Sequence, residues 1–197
     1  LLTPDLPGYG SRSRLIWPGM TGAADDIANL IRERALGGSA DVVGLSLGGH
    51  VALHVLQRHP EVVRTCMVTG VAALGLGPLQ RRLIGLLVPV WTRRWFWAAQ
   101  ALAFGIPAED RELFVATAAG VRAETNRRMF DEVAAGSLPT GEIDYKGPLL
   151  AIAGQWEARS VRDAFGPLTT VLPQTRTWVA PRMHHIWNIE DPELFTH

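Results

Sequence analysis

The stretch Ala40-Asp41-Val42-Val43-Gly44-Leu45-Ser46-Leu47-Gly48-Gly49-His50-Val51-Ala52-Leu53 decides the fold. Ala40 to Leu45 is a short run rich in β-forming residues. From Gly48 to His59 the apolar residues Val51, Leu53, Val55 and Leu56 follow helical spacing, and Pro60 closes the segment. Between strand and helix, Gly44-Leu45-Ser46-Leu47-Gly48 fits the pattern G-x-S-x-G. A serine at such a junction occupies a sharp, strained turn. Small residues two positions either side are expected because side chains there collide with neighbouring backbone. The turn lifts the Ser46 hydroxyl clear of the sheet. It also sets the Leu47 N–H at a helix N-terminus, where it can donate to an oxyanion.

The same alternation continues outward. Thr21 to Ala35 reads as a helix stopped by Gly37-Gly38, and Val62 to Val68 as a second strand. Leu149 to Ala153 and Thr175 to Val179 read as further strands, with a short helix over about Ser160 to Phe165. Asp191-Pro192-Glu193 is a strong helix start. Leu1 to Thr3 reads as the end of a strand before the turn-rich Pro4-Asp5-Leu6-Pro7-Gly8-Tyr9-Gly10. Strands alternating with helices argue for a mostly parallel sheet in an α/β fold. From Leu74 to Thr140 the pattern changes. No strand reads there, and helices dominate, including Glu109–Ala119 and Val121–Ala135. The expected organisation is a sheet domain over 1–73 and 141–197, interrupted by a helical insertion at 74–140.

Composition excludes several classes. The 197 residues are 47% hydrophobic and 19% charged, enough to bury a sizeable core. Lys+Arg and Asp+Glu are both 19, so no basic excess speaks for nucleic acid. All cations but Lys146 are arginine. One cysteine, Cys66, forms no intramolecular disulfide and no Cys-cluster zinc site, and its apolar surroundings mark it as a buried small hydrophobe. No run reaches the ~18–20 apolar residues of a membrane span. The nearest, Leu83 to Trp91, is broken by Pro89 and bracketed by Arg81-Arg82 and Arg93-Arg94.

With Asp5-Leu6-Pro7-Gly8-Tyr9-Gly10-Ser11, Gly44 to Gly49 and Arg58-His59-Pro60-Glu61 in place, the chain resembles the α/β-hydrolase superfamily. The likeness is greatest to its small esterase and lactonase-type members with a helical lid, which here is residues 74–140. The resemblance implies the chain order Ser, acid, His. Of the adjacent pair His184 and His185, the family spacing of seven residues before the Pro of the final helix selects His185, ahead of Pro192. Gly154-Gln155-Trp156-Glu157 stands where the family commonly has G-x-x-D, so Glu157 is the expected acid. Asp163 and Asp144 are weaker substitutes. The extra methylene requires the side chain to fold back or the loop to retract. His50, His54 and His59 follow the serine and read as surface or packing residues, and the terminal His197 carries no reading.

The expected activity is hydrolysis of a small ester, thioester or lactone through an acyl-enzyme on Ser46. The partner is then a small-molecule acyl substrate with an apolar part, with no cofactor and no metal. C–C bond hydrolysis and perhydrolysis are open within the fold. A non-catalytic hydrolase-like binding protein is the alternative outside it. Ser rather than Asp at position 46 speaks against the dehalogenase and epoxide hydrolase branches. The lid's apolar residues are expected to form its own core and, in part, an acyl pocket over Ser46. A cytoplasmic location is expected. The family's domain begins with three strands and a helix before the D-x-P-G loop. The resemblance therefore implies a chain lacking those strands and the second oxyanion donor that follows the third, with Ala40 to Leu45 left as an apolar edge.

Overall fold

The computed structural model describes residues 1–196; His197 lies outside the described residues. Four strands form one sheet: β1 (Ala40–Leu45), β2 (Val63–Thr69), β3 (Leu149–Gly154) and β4 (Thr175–Ala180). Their order is β1-β2-β3-β4 and every neighbouring pair is parallel. Parallel neighbours need crossovers, and helices supply them. Preceding β1 is α1 (Gly19–Arg34), and α2 (Leu47–Arg58) joins β1 to β2. The long connection from β2 to β3 carries α3 (Pro78–Leu87), α4 (Arg94–Ala103), α5 (Arg111–Ala119) and α6 (Ala123–Ala135). Beyond β3 come α7 (Arg159–Asp163) and α8 (Phe165–Val171), and beyond β4 come α9 (Trp187–Glu190) and α10 (Pro192–Thr196). This is the α/β-hydrolase fold.

The inner strand β3 is covered on both faces, as parallel sheets require, whereas most of the edge strand β4 is exposed. Side chains alternate along β3. Leu149 and Ala151 enter the main core with Leu53, Leu56 and Ile31 of α2 and α1. Leu150 and Ile152 pack on the opposite side with Trp187. The helix α2 is buried almost all round, with Gly49 to Leu53, Val55 and Leu56 all inside. That burial rigidly seats the turn at its N-terminus. Cys66 is buried in the same core, and burial pushes its thiol up to about 12, so it is chemically quiet.

Three local expectations are corrected. Leu1 to Thr3 is not a strand: Pro4 and Pro7 follow closely, and these residues line a cleft with Ala40 to Val43 of β1 without pairing with it. The helix expected to end near Phe165 continues as α8 to Val171 after a break at Ala164. Gly166-Pro167 does not stop it, because Pro167 falls in the first turn, where its missing N–H has no intrahelical acceptor to lose. In the α3–α6 segment, Val88 and Phe96 are buried, but Leu83, Leu86 and Leu87 face solvent, and the exposed Trp95 and Leu102 line a shallow outer pocket between α4 and α5 rather than a core.

Candidate active site

Ser46, Glu157 and His185 follow the carboxyl ends of β1, β3 and β4, the side on which open parallel sheets build their sites. Ser46 directly follows β1 and holds φ at 52°, a left-handed conformation uncommon outside glycine. Two bonds fix it there. Its N–H donates to the Thr69 carbonyl at the end of β2 at 2.8 Å, and its own carbonyl accepts from His50 N–H at 3.0 Å. Leu47 is the first residue of α2, so its N–H has no acceptor within the helix.

The glycines around Ser46 differ from the sequence-based expectation. A Cβ on Gly44 would collide with the backbone of the following helix, 2.6 Å from the Gly48 carbonyl carbon and 2.7 Å from Gly49 Cα. A Cβ on Gly49 would strike Val71 Cγ2 and lie 3.0 Å from the Gly44 carbonyl oxygen. A Cβ on Gly48 would meet nothing within 4 Å. The crowded pair is thus Gly44 and Gly49. The second glycine of the pattern points instead toward an open cleft beside β1.

Ser46, His185 and Glu157 lie 139 and 28 residues apart along the chain, by the pairs Ser46–His185 and Glu157–His185, and meet in space. His185 Nε2 is 2.9 Å from Ser46 Oγ. His185 Nδ1 bonds Glu157 Oε1. The carboxylate only accepts, so Nδ1–H donates to it and Nε2 is left to accept from the Ser46 hydroxyl. The Glu157 side chain is buried, and its other oxygen accepts the Gly154 N–H at 2.9 Å. The longer side chain is accommodated by folding back onto the end of β3.

Gly70, the residue after β2, makes room for this pair and was not legible in the sequence as a site residue. It holds φ at +70°, and a Cβ there would lie 2.8 Å from His185 Cε1 and 3.1 Å from Glu157 Oε1. Its one signal was its place directly after a strand. Phe104, at the end of α4, faces the His185 ring with centroids 5.4 Å apart. It is an apolar cover from the helical segment.

The remaining candidates go elsewhere. His184 does not face Ser46: its N–H and Nδ1 bond the two carboxylate oxygens of Glu190, each at 2.8 Å, and its ring packs on Trp156. That clamp fixes the backbone immediately before His185. Asp163 pairs with Arg159 and Asp144 with Lys146, both at the surface. His50 is buried, bonded to Ser137 Oγ at 2.7 Å. Burial, then the nearby His54 and His185, push its pKa down to about 4, so it is neutral near pH 7. His54 is lowered chiefly by burial, and His59 bonds Asp25 at the surface.

Among solved structures, the chain is similar to an esterase from Exiguobacterium antarcticum (TM-score 0.78, 17% identity, covering 98% of this chain and 76% of that one). A thermophilic esterase from Thermogutta terrifontis is comparable (TM-score 0.75, 21% identity, 98% and 75%). At these identities the likeness is one of fold. In sequence, 65 residues are 42% identical to a pimeloyl-[acyl-carrier protein] methyl ester esterase of Neisseria meningitidis serogroup B, 33% of this chain and 23% of that protein. A further 37% identity over 70 residues links it to an AB hydrolase superfamily protein of Gibberella zeae, 36% of this chain and 25% of that protein. The matched segments thus span about a quarter of these curated relatives. The model of the alpha/beta hydrolase family matches residues 1–196, and the chain therefore belongs to the alpha/beta hydrolase family.

Proposed function

We propose that the protein is a serine hydrolase that cleaves a small ester, thioester or lactone through an acyl-enzyme on Ser46. The observation that carries this reading is the continuous relay from Ser46 Oγ through the two ring nitrogens of His185 to the buried Glu157 carboxylate. Serine is a weak nucleophile until a base takes its proton. As Oγ attacks the carbonyl carbon, its proton passes to His185 Nε2. Glu157 orients the ring and stabilises the imidazolium that forms. The Leu47 N–H, at the head of α2, donates to the developing oxyanion. The imidazolium then protonates the leaving oxygen or sulfur, and the acyl group stays on Ser46. In the second half, His185 takes a proton from water, the hydroxide oxygen attacks the acyl carbon, and the proton returns to Ser46 Oγ as the acid leaves. The strained φ of Ser46 supports the same reading, since it aims the hydroxyl away from the backbone that holds it. The apolar Phe104 beside His185 favours a substrate with an apolar acyl or alcohol part.

A fluorophosphonate probe and a series of p-nitrophenyl esters of rising chain length test this. Covalent labelling and ester turnover are expected, and both are lost in Ser46→Ala. Labelling that survives Ser46→Ala overturns the assignment of the nucleophile. A parent chain that binds esters without turning them over favours a binding protein.

A further inference from the structure

The helix α3 is apolar on two opposite faces. On one, Ile84 and the residue just beyond the helix, Val88, pack with Phe130 and Trp91, and Gly85 lies against the Phe130 ring. That face anchors the helix. On the other, Leu79, Leu83, Leu86 and Leu87 are 70%, 55%, 70% and 46% exposed. At ~100° per residue these four leucines fall within an arc of about 100°, roughly opposite Val88. Arg82 borders the arc, about 40° from Leu86 on the same count. No residue of α3 is buried.

The charge carried by α3 itself has one sign. From Val62 to Ala108 the chain contains no Asp or Glu, while Arg81 and Arg82 lie within α3 and Arg93 and Arg94 just beyond it. Arg81 pairs with Asp131 and Arg94 with Glu112, both supplied by other helices. Among the described residues, Arg82 and Arg93 form no ion pair. A leucine stripe with an unpaired arginine at its border and no acid on its own helix has the make-up of a helix that lies in a membrane surface. The apolar side chains enter the acyl boundary, and the long arginine stems carry their charge back to the headgroups.

We propose that α3 docks this protein on an anionic lipid surface through its Leu79, Leu83, Leu86 and Leu87 face. A second copy fits the stripe less well. Four partly exposed leucines offer on the order of 400 Å2, against ~800 Å2 per partner in a standard dimer. A two-fold pairing of the stripes also sets Arg82 toward its own copy, with no acid of the segment to offset it. An acidic protein partner needs hydrogen-bonding groups for register; the arc itself holds none, and of the two polar residues at its borders, Arg82 and Gln80, the Gln80 Oε1 already accepts from the Gly77 N–H.

The test is co-sedimentation of the whole chain with phosphatidylglycerol–phosphatidylcholine vesicles and with pure phosphatidylcholine vesicles. Binding is expected on the anionic vesicles, about tenfold or more weaker on the neutral ones, and falling with salt. Leu83→Gln/Leu86→Gln lowers it about tenfold or more by removing the apolar anchor without adding charge. Arg82→Gln removes most of the preference for the anionic vesicles. Both sites are exposed, so circular dichroism and thermal midpoints are expected to match the parent. Ser46→Ala is expected to bind as the parent does, so failure of this proposal is separate from failure of the hydrolase reading. No vesicle binding, or binding unchanged in Leu83→Gln/Leu86→Gln, overturns it. So does a concentration-dependent dimer that the double variant abolishes, or tighter binding to soluble polyglutamate than to anionic vesicles.

Discussion

Glu157 and Gly154 are bonded to each other twice. The Glu157 N–H donates to the Gly154 carbonyl at 3.1 Å, and the Gly154 N–H donates back to Glu157 Oε2 at 2.9 Å. This reciprocal turn uses one carboxylate oxygen to hold the side chain in place and leaves the other aimed at His185 Nδ1. The extra methylene relative to an aspartate is taken up in the fold-back.

Glu157→Gln keeps this size but offers no charge to the imidazolium. Turnover is expected to fall by up to ~10⁴-fold with KM little changed. Glu157→Asp is expected to fall between, because a displacement of about 1 Å at such a site costs on the order of 10²-fold. Steady-state ester hydrolysis checks both. Near-parent turnover in Glu157→Gln overturns the role given to this residue.

The glycines around the turn separate in the same way. Gly44→Ala forces a Cβ into backbone and is expected to cost about 3 kcal/mol. Gly49→Ala meets the end of the Val71 side chain, which can shift, and costs about 1–2 kcal/mol. Gly48→Ala enters open space and is expected to leave stability unchanged or raise it by up to ~1 kcal/mol, since alanine is the better helix former. Gly70→Ala acts on the chemistry, pressing on the His185 ring and lowering turnover on the order of 10²-fold. Thermal midpoints and turnover, measured on all four, test the ranking.

What could be read in the sequence depended on whether the signal was local. Strands β1 to β4 are short runs rich in β-branched or apolar residues, and helix α2 has apolar residues at helical spacing, so their type and approximate limits were legible. The residues now found together at the strand ends were singled out by motif and by family spacing, not by any local periodicity. The crowding at Gly49 was not legible, because Val71, which creates it, belongs to a different crossover. Gly70 was missed for the same reason: its Cβ-sized gap is set by His185, which lies 115 positions further on in the sequence. The outward leucine face of α3 was taken for core, since a helix apolar on both sides shows no polar stripe by which to tell them apart.

Stability is expected to depend on His50 below neutral pH. Its folded pKa is pushed down to about 4, below the ordinary 6.5, because burial disfavours the cation. The unfolded chain therefore binds a proton that the folded one refuses. The contribution is fully present above about pH 6.5 and is lost as pH falls toward 4. At ~1.4 kcal/mol per unit, that loss comes to about 3 kcal/mol. Urea unfolding at pH 7 and pH 4 measures it. His50→Gln keeps a partner for Ser137 and is expected to lose about 3 kcal/mol less than the parent over that range. Equal losses in the two proteins overturn this account.

The sheet ends at β1, and its outer edge carries no strand among the described residues. Val43, midway along it, is 59% exposed. Beside the edge lies a cleft of about 1000 Å3 lined by Leu2, Leu6, Ile27, Ile31 and Val55. An edge strand presents unpaired N–H and C=O groups, and an apolar flank adds a hydrophobic drive to pair them with another chain. This chain is therefore expected to self-associate as its concentration rises. A lysine on such an edge opposes pairing, since its charge must otherwise be buried against the incoming strand. Val43→Lys is expected to shift the sedimentation-velocity distribution toward monomer, with the circular dichroism spectrum unchanged. An outward substitution away from the edge, Thr169→Lys on the solvent side of α8, is expected to leave the distribution as it was. A parent chain that stays monomeric at every concentration, or an equal shift in both variants, shows that the β1 edge does not drive association.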